Sequence, residues 1–285
     1  MALTSLVSVI NRHLLEPMGA ELNSLTRKRI ESARLADLVN KGQFREAAYP
    51  VPAPFSKCNP EPIVDALKGN SQSLAKFHDI ATAPQGYDPA NPYFTTPDLE
   101  VLYVMLGLEK PRRWVEVGSG NSTIIARQAI KDFGLDTKIV SIDPAPRSDV
   151  KQLVDQQFLS RLEDTDLTFF DGFEKGDVLF IDSSHELRVG NDVATLFLNV
   201  IPKLPSGVII HIHDIFLPYE YPEKWIVEAK WTWNEQQLVQ AMLYFSDRFE
   251  VLWPGHYLQK TRPDFAELFP NLGKNQAQSL WLRIN

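Results

Sequence analysis

Two textures of hydrophobic and polar positions divide the chain. From Arg113 onward, short apolar runs that end in polar residues alternate with longer stretches of helical periodicity. Residues 114–117, 138–142, 177–181 and 208–212 are predicted strands, and 122–133, 149–162, 191–204 and 234–245 predicted helices. Gly134 stops the first of these helices. Strands separated by helices imply right-handed crossovers and a parallel sheet covered on both faces. Residues 249–253 and 279–284 are two closing strands whose pairing the pattern leaves open. The expected fold is therefore an α/β, Rossmann-like sheet of seven strands, mostly parallel, with helices on both faces.

Before Arg113 the texture is helical and then broken. Leu3, Leu6, Val7 and Ile10 recur at helical spacing, so residues 3–48 are expected to be helical. Pro50, Pro52, Pro54, Pro60 and Pro62 interrupt regular structure, and residues 63–82 form a further expected helix. A second proline-rich segment, 84–97, leads into a helix at 98–108 capped by Thr96 or Asp98. This places a helical extension and linker in residues 1–83 and the sheet domain in 84–285.

Composition then narrows the class. A net charge of −7 over 285 residues argues against a sequence-independent grip on nucleic acid. The single cysteine, Cys58, excludes an internal disulfide and suits a reducing compartment. No apolar run reaches the ~20 residues of a membrane helix, and residues 1–15 have no basic start typical of a secretion signal. A cytoplasmic enzyme acting on a small molecule, without nucleic acid or membrane partners, is expected. The apolar stripe of residues 1–48 makes a homodimer through that extension the expected assembly.

Gly118-Ser119-Gly120 follows a predicted strand and precedes a predicted helix. Glycines there let the backbone turn tightly and approach a ligand that a Cβ would block. The position of a third glycine in the dinucleotide fingerprint is held by Thr123, after Asn121 and Ser122, so the loop departs from that motif. Asp143, followed by Pro144, ends the second strand about twenty residues on, where an acid accepts hydrogen bonds from ribose hydroxyls. Glu116 interrupts the apolar first strand, a costly burial unless a partner meets it.

Glu116 to Thr123 and then Ile142-Asp143-Pro144 resemble the first two motifs of class I S-adenosylmethionine-dependent methyltransferases. Residues 176–185, 207–215 and Trp233-Asn234-Glu235 are similar to a bacterial small-molecule subgroup of that superfamily. The resemblance covers roughly residues 90–260. It implies that S-adenosylmethionine is the cofactor. Glu116, Gly118 and Gly120 would line its methionine and ribose end and Asp143 its ribose, with Ser119, Asn121, Ser122, Pro144 and Asp182 completing the contacts. The adenine partner would follow the third strand, with Asp164 and Asp166 as candidates.

Asp182 and His185 follow one strand, and His213 and Asp214 the next. Adjacent parallel strands lie about 5 Å apart, so these groups can converge. One chemistry is general base catalysis, with His213 or His185 as base and Asp214 or Asp182 orienting it. The other is a divalent metal held by Asp182, His185, His213 and Asp214. Some methyltransferases of this fold hold such an ion with carboxylates. His211 is expected in the core, and His256, beside Pro254-Gly255, at the surface or in a lid. The aromatic, proline-stiffened segment 216–225 is either a lid or packing against the N-terminal extension. Asn234 is a candidate cap for the helix after it. The expected activity is O-methylation of a small molecule or sugar. Its rivals are a metal-dependent enzyme of other chemistry on the same fold and a non-catalytic partner subunit.

Overall fold

The computed structural model describes residues 2–22, 25–146 and 149–285. The chain divides into two compact units, residues 1–46 with 222–231, and residues 47–221 with 232–285.

In the first unit, α1 (Ala2–Ile10) continues through wider and tighter helical turns to Met18, and α2 (Leu25–Asn40) follows. Gly19, in the left-handed conformation, ends the first run. Asn11 closes the intervening loop by donating to the Leu22 carbonyl and accepting from the Leu22 N–H. Trp225 packs against Trp231 within the same unit, with the rings tilted and their centroids 5.0 Å apart.

The second unit carries the sheet. Three short helices lead in, α3 (Ala53–Lys57), α4 (Glu61–Gly69) and α5 (Ser71–Ala75), followed by α6 (Asp98–Glu109). The strands are β1 (Arg113–Val117), β2 (Lys138–Ile142), β3 (Gln156–Phe158), β4 (Val178–Ile181), β5 (Ile209–Ile212), β6 (Phe249–Pro254) and β7 (Leu280–Ile284). Their order is β3-β2-β1-β4-β5-β7-β6, with β7 antiparallel to both of its neighbours. The helices between them are α7 (Asn121–Asp132), α8 (Asp192–Thr195, extended by further turns to Lys203) and α9 (Glu235–Phe245), with α10 (Gly255–Thr261) and α11 (Phe265–Leu268) before β7. Every residue of β4 and β5 is buried, as continuous apolar strands between two covering layers require. The seven-stranded, mostly parallel sheet is the one expected.

The segment 149–162, expected as a helix, is instead a turn followed by the edge strand β3. Asp155 explains the difference: its carboxylate accepts from Ile139 N–H and is paired with Arg127 at 2.7 Å. That anchors the chain at the sheet edge, where Val140, Ser141 and Ile142 pair with Gln156, Gln157 and Phe158. Tertiary pairing overrode a weak local helical pattern. The caps also differ from expectation. Neither Thr96 nor Asp98 caps α6, because Asp98 turns its carboxylate to the N–H groups of Gln278 and Ser279. Asn234 does stand at the N-cap position of α9, but its side chain accepts from Leu187 N–H and not from the helix.

Asp177, expected within β4, lies just before it and its side chain closes the base of the sheet. The carboxylate is fully buried and accepts from Arg112 Nη2 at 2.8 Å, Arg113 Nε at 3.1 Å and the N–H groups of Arg113 and Glu174. Removing it leaves the mostly buried Arg113 guanidinium and two backbone N–H groups without their acceptor, although half-exposed Arg112 can turn to water. Asp177→Ala is therefore expected to lower stability by roughly 3–5 kcal/mol, measured by urea unfolding.

Candidate active site at the strand ends

The ladder of hydrogen bonds runs one residue past the strands and fixes where the polar residues emerge. Gly118 N–H donates to Ile142 O, Asp143 N–H to Phe158 O, Asp182 N–H to Val117 O and His213 N–H to Ile181 O. The ends of the five parallel strands are thereby locked side by side at one edge of the sheet.

Gly118 has φ +89°, and a Cβ on it would lie 1.8 Å from the Asp182 carbonyl oxygen. The glycine is thus required by the neighbouring strand end as well as by any ligand. Gly120 differs: a Cβ there would meet nothing within 4 Å, so the cradle at that point is open. Asp143 Oδ2 accepts from Ser119 N–H at 2.8 Å and lies 3.2 Å from Ser119 Oγ, while Oδ1 accepts from Ala145 N–H. Asp143 therefore ties the glycine loop to the end of β2 and keeps its carboxylate half-exposed. Asn121 Nδ2 donates to Asn91 Oδ1, Ser122 is buried in the first turn of α7, and Pro144 is exposed.

Glu116 lies beneath this loop. It is fully buried, with Thr123 Oγ1 donating to Oε1 at 2.6 Å and Trp114 Nε1 to Oε2 at 3.3 Å. Burial pushes its carboxyl up to about 8 against those two hydrogen bonds, so it carries a proton at neutral pH.

Beyond β2 and β3, a cavity of about 280 Å³ is lined by Ile142, Phe158, Thr165, Asp166, Thr168 and Phe169. Asp166 accepts from Thr168 N–H and Oγ there, whereas Asp164 is not among the lining residues.

The strongest convergence is at β4 and β5. His185 Nε2 lies 3.3 Å from both Asp182 Oδ1 and Asp214 Oδ2. One donor atom from each of Asp182, His185 and Asp214 falls within 4.8 Å of the others, a set able to hold a metal ion. His213 stands alongside, with Nδ1 3.7 Å from Asp182 Oδ1 and 3.6 Å from Asp214 Oδ2, and Nε2 3.7 Å from Asp98 Oδ2. Its ring packs on Phe94 at 4.8 Å. Both His185 and Asp214 have left-handed backbones, at φ +57° and +58°. Such positions are strained for non-glycine residues and persist where surrounding structure holds them.

Charge explains the cluster's internal balance. Burial disfavours charged rings, but hydrogen bonds to Asp182 and Glu235 raise His185 to about 10. His213 is likewise raised well above its ordinary value, against burial, by the charges of Asp214 and Asp182. Burial opposes ionisation of Asp182, and the two histidines more than reverse it, holding its carboxyl well below the usual range.

Sequence reasoning gave no role here to three contributors. Glu235 is fully buried with Oε2 3.0 Å from His185 Nδ1, Trp233 packs against the His185 ring, and Asp98 faces His213. The opening of a helix by Trp233-Asn234-Glu235 was the one available signal. His211 is a core residue stacked on Phe180 at 4.3 Å, with Nε2 2.9 Å from Ser279 Oγ. His256, expected at the surface or in a lid, is buried against Phe216 and Tyr219, with Nδ1 facing the Ala277 carbonyl. Phe216, Leu217 and Tyr221 are buried in the sheet unit, so this part of segment 216–225 is core rather than lid.

Residues 115–215 match the family model described as a methyltransferase domain. No curated protein sequence matches the chain. Similar solved structures include an O-methyltransferase from Bacillus cereus in complex with SAH, 12% identical with a TM-score of 0.44, aligned over 80% of this chain and 92% of that one. Another is the SAH-bound methyltransferase PaMTH1 of Podospora anserina, 15% identical with a TM-score of 0.41, over 93% and 99% of the two chains.

Glu116 generates a pH prediction. In the unfolded chain its carboxyl ionises near 4.5, while the folded protein holds the proton to about 8. Between those values only the unfolded state gains from losing the proton, so this residue's contribution to stability declines as pH rises through that window. Glu116→Gln should remove this decline. Urea midpoints at about pH 5 and about pH 8 should show the variant gaining on the parent at the higher pH.

Proposed function

We propose, from the match of residues 115–215 to a methyltransferase-domain model, that the protein is an S-adenosylmethionine-dependent enzyme that methylates a hydroxyl group of a small molecule or sugar with help from a divalent metal ion. The observation that carries this reading is the convergence of Asp182, His185 and Asp214 beside the glycine loop.

The open cradle at Gly120 and the half-exposed Asp143 fit the cofactor's nucleoside. Gly118, Ser119, Gly120, Asn121 and Ser122 would surround its methionine and ribose end, with Glu116 underlying them, Asp143 would take the ribose hydroxyls, and Pro144 would border the adenine. The cavity containing Asp166 fits the adenine itself. When bound, S-adenosylmethionine supplies an electrophilic methyl group on its sulfonium.

Asp182, His185 and Asp214 would hold the metal, whose chemistry is to acidify and orient the acceptor hydroxyl. Two carboxylates and an imidazole whose donor atoms lie within 4.8 Å of one another make an N/O ligand set of the kind divalent ions take, which favours this reading over a histidine base acting alone. The runner-up retains His213 as general base, because it lies beside the same two carboxylates.

A second cavity, about 370 Å³, supports a hydroxyl-rich acceptor. Its lining includes Tyr87, Asn91, Thr95, Asn271 and Asn275, uncharged groups that exchange hydrogen bonds with neutral ligands, and Asn91 joins it to the glycine loop. Leu6, Val9, Leu14, Met18 and Leu22 are exposed in the first unit and support a homodimer through the N-terminal extension. No helix among the described residues is long and apolar enough to cross a membrane.

Asp143→Ala is expected to weaken S-adenosylmethionine binding roughly ten- to hundredfold in calorimetry, the cost of charge-assisted hydrogen bonds. Unchanged affinity would place the nucleoside elsewhere. Asp214→Asn should cut turnover by about 10²–10⁴-fold while leaving cofactor affinity near that of the parent. Chelation should abolish methyl transfer, and one divalent ion should restore it. Chelator-insensitive turnover that is lost in His213→Ala would replace the metal reading with the general-base one.

A further inference from the structure

The residue behind His185 is as particular as those in front of it. Glu235 opens α9, fifty positions downstream, and is fully buried with Oε2 3.0 Å from His185 Nδ1. The His185 carbonyl accepts from the N–H groups of Asn234 and Glu235 at 3.0 and 3.1 Å. Trp233 covers the imidazole with ring centroids 4.3 Å apart. Asn234 then accepts from Leu187 N–H, fixing the chain just after the histidine. Three consecutive residues thus grip one imidazole at its carbonyl, face and far nitrogen.

A carboxylate at Nδ1 keeps a proton there, so a metal ion that displaced the Nε2 proton would find that nitrogen's lone pair already pointing forward. Forward are Asp182 and Asp214, each 3.3 Å from Nε2. Two carboxylates alone are hard ligands that suit magnesium, whereas an oriented imidazole brings a nitrogen that first-row transition ions bind more strongly. Carboxylate partners behind metal-bound histidines have this orienting effect and raise the basicity of the ring.

We infer that the Asp182-His185-Asp214 site selects a first-row transition ion such as Mn²⁺, Fe²⁺, Co²⁺ or Zn²⁺ over Mg²⁺, and that Glu235 is the positioning residue that gives it this selectivity through His185. The inference rests on the metal reading above and adds the class of ion and the residue that sets it. Glu235 touches no reacting atom. It acts through the imidazole it holds.

The test compares Co²⁺ and Mg²⁺ binding to the full chain by calorimetry, with the visible absorption of Co²⁺ reporting nitrogen ligation. The parent should bind Co²⁺ more tightly than Mg²⁺. Glu235→Ala should lose roughly 10–100-fold in Co²⁺ affinity with a much smaller change for Mg²⁺, so that the ratio falls. Glu235→Gln keeps an acceptor for the Nδ1 proton and should show a smaller fall in the same direction, which also serves if the alanine variant does not fold. His185→Asp should hold Mg²⁺ while losing the Co²⁺ preference and its spectral signature. Retained S-adenosylmethionine binding checks that each variant is folded. A Co²⁺-to-Mg²⁺ ratio unchanged in both Glu235 variants would overturn the inference and leave the metal site standing. A parent protein that binds neither ion would overturn the metal reading itself, and this inference with it.

Discussion

The approach of β1 to β4 at their carboxyl ends governs everything built above them. Gly118 and the Asp182 carbonyl are so close that a Cβ on the glycine would sit 1.8 Å from that oxygen. The glycine loop and the loop bearing Asp182 and His185 are therefore one packed unit. A displacement of either moves the other. This contact sets the glycine loop, the proposed nucleoside cradle, and the acidic cluster within reach of each other, as the proposed group transfer between two bound molecules would require. The strand register below supplies the rigidity: Val117 pairs with both Ile142 and Ile181.

Around that contact the molecule buries many charged groups, and each solution differs. Asp177 at the base of the sheet is saturated by arginines and backbone N–H groups, so it serves only structure. Glu116 is kept neutral by burial beneath the loop. Asp182, His185 and His213 hold one another charged, and with Asp214 they make contacts of 3.3–3.7 Å, longer than good hydrogen bonds. Side chains that meet without closing tightly on one another leave room for the ion proposed between them. The backbone strain at His185 and Asp214 points the same way, since strain concentrates where geometry serves function.

Much of this was legible along the chain. The apolar runs located six of the seven strands within one residue at their ends, because buried parallel strands need continuous hydrophobic sequence. Asp182, His185, His213 and Asp214 were foreseeable as neighbours because side chains just past adjacent strands emerge together. Residues 149–162 misled because β3 spans only Gln156–Phe158, too short to carry periodicity, and its position depends on Asp155 meeting Ile139 and Arg127. The adenine-side loop was correspondingly hard to place. His256 misled because a Pro-Gly turn usually marks surface, while here Phe216 and Tyr219 close over it.

What the sequence determined by itself was everything with a local physical cause: strand continuity, crossover helices, glycines at the first turn, and acids and histidines at strand ends. What only the tertiary structure decided was which distant groups face one another. Asp98 turned from capping its own helix to binding Gln278 and Ser279, and Asn234 turned from its helix to Leu187. β7 inserted antiparallel between β5 and β6, and Glu235 arrived behind His185 from fifty residues away. Such pairings are settled by burial and hydrogen-bond satisfaction across the whole fold, which no window of sequence contains.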